Sequence, residues 1–121
     1  MLNRVIFMGR LVADPELRTT GVHSLPVTDF TIAVDRKTFG KNTEKKVDFI
    51  DCVAWKKQAE WICRNFTKGQ IITVEGRLEM REWIDKDGNK RRSAEVQVEN
   101  AYFCTLKGAV EDDASLPNAG E

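Results

Sequence analysis

Apolar residues in this chain recur at every second position through most of its length, and one stretch alone changes to helical spacing. Phe30, Ile32 and Val34 alternate with Thr31, Ala33 and Asp35, which predicts a strand with one buried face. Ile72, Val74, Gly76, Leu78 and Met80 repeat the pattern over a longer strand, and Ala94, Val96 and Val98 carry it again. Val5 to Val12 and Val47 to Trp55 read as two more strands. Between these runs Ala59, Ile62, Cys63 and Phe66 fall at helical spacing, with Lys68-Gly69 as a basic last turn and glycine stop. Such patterning confines the chain to an all-β architecture with one short helix.

The breaks order these elements. Asp14-Pro15 ends the first strand, a loop surrounds Gly21, Thr38 to Lys46 forms a polar hairpin tip, and Asp87-Gly88 marks a hairpin turn. Three strands, a helix and two strands is the order of the five-stranded OB-fold Greek-key barrel. On pattern alone, a five-strand sandwich and an SH3-like barrel stay open. The expected organisation is one domain over 1–107, followed by an acidic, disordered tail over 108–121.

Charge sharpens that division. Formal net charge is zero, but the segment 1–107 holds nineteen basic against fifteen acidic residues, a net +4. The remaining segment holds Glu111, Asp112, Asp113 and Glu121 without a base, a net −4. A mildly basic body with an acidic tail is a charge asymmetry found in nucleic-acid binders. Three cysteines without C-x-x-C spacing and a single histidine, His23, offer no metal-ligand set, so neither a metal nor another cofactor is expected. Asp48 and Asp51 fall on opposite faces of one strand, and no Ser–His or Cys–His arrangement can be built, so catalysis is not expected. The start has no secretory-signal pattern and no apolar run reaches membrane-span length, which leaves the cytoplasm as the expected compartment.

Strand parity then selects a surface. Phe49 and Trp55 share one face of their strand, with Asp51 and Val53 between them. Arg77, Arg81 and Trp83 share the face opposite the apolar set Ile72 to Met80, so Trp83 is expected to project outward beside two arginines. Phe39 lies at the hairpin tip between Lys37 and Lys41. Phe7, Phe30, Phe66, Phe103 and Tyr102 are assigned to packing, and Trp61 to the seating of the helix on the barrel rim. Exposed rings among cations suit unpaired nucleobases, which stack on aromatic faces while Lys and Arg neutralise phosphate. Base rates favour the core for Phe49 and Trp55 taken singly, and the surface for Phe39 and Trp83.

Several fragments carry a family resemblance. Met1-Leu-Asn-Arg-Val, Met8-Gly-Arg-Leu, Asp14-Pro-Glu-Leu-Arg18 and Phe30-Thr-Ile-Ala-Val34 resemble bacterial single-stranded DNA-binding proteins. So do Asp48-Phe-Ile-Asp-Cys-Val-Ala-Trp-Lys56, Ala59-Glu60, Lys68-Gly69 and Val74-Glu-Gly-Arg-Leu78, in the same order and spacing as far as Leu106. The resemblance implies an OB fold, a homotetramer, and sequence-independent binding of single-stranded DNA in replication, recombination and repair. It places the family's stacking rings on Phe39, Phe49, Trp55 and Trp83, and phosphate contacts near Arg4, Lys57, Arg77 and Arg81. Family members end in an acidic tip with a terminal aromatic that recruits replication and repair proteins. Here Glu111-Asp112-Asp113 and Leu116-Pro117 are followed by no Phe, which puts that recruitment in question. An RNA-binding OB module would use the same stacking chemistry, because nothing in the sequence visibly reads the 2′-hydroxyl. The first strand is apolar on both faces (Val5 and Phe7, Ile6 and Met8), a surplus that fits either a subunit interface or cover by the tail.

Overall fold

The computed structural model describes residues 1–37 and 45–104. In chain order the elements are β1 (Val5–Leu11), β2 (Arg18–Thr20), β3 (Leu25–Asp35), β4 (Val47–Trp55), α1 (Lys56–Asn65), β5 (Ile71–Ile84) and β6 (Lys90–Phe103). The strands hydrogen-bond in the order β1-β5-β6-β4-β3-β2, and β1 also pairs β3 through Arg10↔Ala33 and Leu11↔Ile32. That extra pairing closes the five long strands into a ring. Only β4 and β6 run parallel, from Asp51↔Glu95 to Val53↔Gln97, and every other pair is antiparallel. This is the OB-type Greek-key barrel expected from element order.

Inside the ring, inward residues of alternate parity meet the helix. Leu11, Phe30, Ile32, Cys52, Ala54, Ile72, Val74, Val96 and Val98 form one buried cluster with Ala59, Ile62 and Phe66. The helix therefore plugs one end of the barrel with its apolar stripe. Phe103 stacks on Phe66 at 4.9 Å between ring centroids, and Trp61 meets both edge-on, at 5.7 Å from Phe66 and 5.3 Å from Phe103. Burial raises the Cys52 thiol to about 12, with Asp51 and Glu95 adding to the effect, so this sulfur is held protonated.

Four expectations change. The segment around Gly21 includes a short edge strand, β2, and β3 begins five residues before Phe30, at Leu25. Pro26 is tolerated there because it lies at the sheet edge, opposite Thr19. The helix ends at Asn65, with Phe66 already extended; Asn65 Nδ2 donates to the Trp61 carbonyl at 2.8 Å, and Gly69 serves a separate turn. Tyr102 is exposed rather than packed, and Phe103, although its ring stacks on Phe66, is exposed as well. Finally, Leu78 and Met80 do not complete the core: both are exposed, and the buried row of β5 stops at Gly76.

The reason lies in the β5–β6 ladder. Glu75 pairs Asn100 but Gly76 pairs Val98, so Glu99 is an extra residue with no partner, a β-bulge. A side chain at Gly76 would put a Cβ 1.9 Å from the Gln97 carbonyl oxygen, which explains glycine at this close approach. Beyond it β4–β6 pairing ends at Asp51↔Glu95, and the two strands continue to Ile84 and Lys90 as a projecting hairpin. Among the described residues, no helix is long and apolar enough to cross a membrane.

Candidate nucleic-acid interface

Three of the four selected rings lie on the described surface. On the outward face of β4, Phe49 is 67% exposed and Trp55 is 40% exposed. Trp83, on the projecting part of β5, is 46% exposed and lies opposite Arg91. These values overturn the core prior for Phe49 and Trp55. Phe39 lies outside the described residues, as do Lys41 and the segment 108–121.

The Trp55 ring is aimed by its surroundings. Trp55 lies in register with Val27, which is fully buried on the outer side of the barrel. Its indole Nε1–H donates to Gln97 Oε1 at 3.2 Å, which pins the ring edge against β6. The next residue, Lys56, has φ 57°, a left-handed conformation that costs a non-glycine side chain energy and turns the chain from β4 into the helix. Gln97 is the shared neighbour of Val53 and Arg77, so it links the Trp55 strand to the arginine row of β5. Sequence reasoning passed over Gln97; its outward parity next to Val96 and Val98 was the available signal.

The cations are less free than parity suggested. Arg4 pairs Glu75 at 2.9 Å and reaches Glu99 at 3.8 Å. Arg77 pairs Glu79 at 2.9 Å and Glu99 at 3.3 Å, so the bulged carboxylate is shared by two arginines. Hydrogen bonding from the Tyr102 hydroxyl, with help from Asn100 and Arg4, holds the Glu75 carboxyl below its ordinary range. Glu79 and then Glu99 raise the Arg77 guanidinium. Lys57 stands apart on the first turn of the helix, where it lines a shallow groove with Gln58, Glu60, Trp61 and Arg64. Arg81 lines a small cavity on the β4 face with Asp29, Thr31, Asp51, Ser93 and Glu95. The fold thus gathers Phe49, Trp55, Arg77, Arg81 and Trp83 on one outward surface, and sets Arg4 and Lys57 to its sides.

A surface of this kind can stack flat ligands on three rings and oppose their charge with guanidinium groups. Comparison with known proteins points the same way. Residues 2–104 match the Single-strand binding protein family. The chain is similar to "Single-stranded DNA-binding protein A" of Bacillus subtilis, 42% identical over 107 residues covering 88% of this chain and 62% of the relative. It is also similar to "Single-stranded DNA-binding protein" of Halalkalibacterium halodurans, 39% identical over 109 residues, or 90% of this chain and 64% of the relative. A third relative, "Single-stranded DNA-binding protein 2" of Listeria monocytogenes, is 38% identical over 118 residues, 98% of this chain and 73% of its own length. The chain spans less than two thirds of the first two of these relatives. A barrel closed through β1 and β3, rings held in solvent on its outer wall, and a match over residues 2–104 lead to one conclusion: the chain belongs to the single-strand binding protein family.

Proposed function

We propose that this chain binds and protects single-stranded DNA during replication, recombination and repair, without sequence readout and without chemistry on the strand. The observation that carries this reading is the set of solvent-facing rings Phe49, Trp55 and Trp83 interleaved with Arg77 and Arg81 on one wall. Stacking contributes about 1–3 kcal/mol per base and is open to every base, whereas a duplex hides its base faces. Phe39 supplies a fourth ring from the β3–β4 connection, and Arg4 and Lys57 extend the phosphate track along the flanks. The DNA-binding unit is residues 1–107, and 108–121 adds acidic charge outside it.

The working form is a homotetramer in the cytoplasm. Ile6 and Met8 support the assembly: both are about 60% exposed on the outer face of β1, while Val5 and Phe7 of the same strand pack on the core. A shallow apolar groove of about 330 Å³ continues this surface through Met8, Ala33, Val34 and Ile71.

Titration with oligo-dT at two salt concentrations, followed by tryptophan emission, tests the function. Emission is expected to quench on binding, and log affinity to fall against log salt by roughly 0.7 per phosphate neutralised. Tight binding with unchanged emission would remove Trp55 and Trp83 from the interface, and a salt-independent affinity would remove the arginines.

A further inference from the structure

Two valines on the outer wall are buried without belonging to the barrel core. Val27 is fully buried and Val53 is 5% exposed, yet neither joins the cluster around the helix. Their ladder partners are Trp55, opposite Val27, and Gln97, opposite Val53. Trp55 and Gln97 therefore flank a small apolar patch of their own, joined by the 3.2 Å bond from the indole to the amide oxygen.

The backbone around Trp55 has little freedom left. Upstream, β4 is paired to β6 at Val53↔Gln97. Downstream, Lys56 makes the left-handed bend, and Gln58 Nε2 on the first turn of the helix donates to the Glu99 carbonyl at 2.9 Å. Gln97 is itself fixed between Val53 and Arg77, with its carbonyl packed against Gly76. What remains is rotation of the indole about its own side-chain bonds.

The flanking groups decide which way the Gln97 amide faces. An indole N–H only donates, and a carboxylate only accepts. Gln97 Nε2 donates to Glu95 Oε1 at 3.1 Å on one side, which leaves its oxygen for Trp55 on the other. A reversed amide would set oxygen against carboxylate and N–H against N–H. Glu95 and Gln97 together thus present an acceptor of fixed direction. A bond made at the ring edge leaves the indole face for stacking, and Trp55 keeps 40% of its surface in solvent. Trp83, which lies opposite Arg91 far along β6, is out of reach of this acceptor.

We propose that Gln97 is a positioning residue of the interface: its amide, oriented by Glu95, holds the Trp55 indole in its stacking pose before a strand arrives. The inference deepens the single-strand binding proposed above and rests on it. A ring ordered in advance need not be ordered on binding, and immobilising one such side chain lowers affinity by about three- to tenfold.

The test uses the full chain labelled with ¹⁵N-tryptophan. Gln97→Met keeps the reach of the side chain and removes the acceptor. In the free protein it is expected to move the Trp55 indole N–H resonance upfield and to leave that of Trp83 in place. Glu95→Met, which frees the amide to turn, is expected to move the same Trp55 resonance. Oligo-dT affinity is expected to fall about three- to tenfold in Gln97→Met. In a Trp55→Phe background, which keeps a ring but has no N–H to hold, Gln97→Met is expected to change affinity by less than about twofold. Circular dichroism checks each fold. A Trp55 resonance left in place by either variant overturns the proposal. Equal losses of affinity in the two backgrounds overturn it too, because Gln97 would then act on the strand or the fold and not through the indole. A moved resonance with unchanged affinity overturns the positioning role and leaves single-strand binding standing. Failure of the wild-type chain to bind oligo-dT removes the function and the positioning role together.

Discussion

Trp55 and Trp83 differ in what lies beneath them, and that difference sets what their removal does. Trp83 stands on a hairpin with no layer under it, so Trp83→Ala is expected to weaken oligo-dT binding by about 1–3 kcal/mol with unchanged thermal stability. Trp55 lies opposite fully buried Val27 and bonds Gln97. Trp55→Ala is therefore expected to lose similar affinity and, in addition, on the order of 1 kcal/mol of stability, read by urea unfolding. Equal stability of the two variants would mean that the indole covers nothing. Period-two parity made Trp83 legible as outward, beside Arg77 and Arg81; for Trp55 it gave only a face shared with Phe49, and the family resemblance supplied the surface placement. The ion pairs of Arg4 and Arg77 were not legible. They join residues 71 and 22 positions apart, and only the assembled ladder brings them together.

The β5–β6 hairpin shows where reading elements from pattern stops. Alternation from Ile72 to Met80 tells that the strand has two faces, but not whether another layer covers one of them. Leu78 and Met80 keep the rhythm of the core and lie outside it. Parity arithmetic also presumes an unbroken ladder, which the bulge at Glu99 interrupts. Gly76→Ala drives a Cβ into the Gln97 backbone, and about 1–3 kcal/mol of destabilisation is expected on chemical unfolding. A neutral outcome would mean that the bulge opens easily. At the hairpin tip, Asp85 accepts the N–H groups of Asp87 at 3.0 Å and Asn89 at 2.9 Å, and the Arg91 guanidinium at 2.8 Å. These bonds, the Asn89 amide foremost, hold its carboxyl below the ordinary value. Because the folded value is lowered, its contribution to the turn is full above the unfolded value and is lost as pH falls through the folded one. The Asn89 amide chemical shift should then titrate at lower pH than an unconstrained aspartate; a midpoint at the ordinary value would show the turn to be open.

At the scale of the molecule, a barrel of this size meets its apolar needs with one face per strand, and β1 exceeds them. If Ile6 and Met8 are covered by a second copy, Ile6→Glu should break the assembly, and light scattering should report a smaller species at the same concentration. A mass unchanged from wild type would assign that face to something other than the subunit contact. The fold class was readable because the long strands, three before the helix and two after it, keep the order of the OB barrel, and the family resemblance separated that barrel from the sandwich and the SH3-like barrel that pattern left open. The placing of Asp51 beside Glu95 was not, since it depends on the one parallel contact among the described strands.

The Glu99 bridge between Arg4 and Arg77 has a bearing on how binding responds to its medium. Where Arg4 and Arg77 serve as the proposed phosphate contacts, an incoming phosphate would meet guanidiniums that already hold a tethered anion, and contact would become an exchange of one anion for another. Fewer dissolved counterions then leave the DNA–protein pair per arginine engaged, because part of what departs stays attached to the chain. A count of contacts taken from the steepness of a salt titration would fall short of the number of arginines touching the strand.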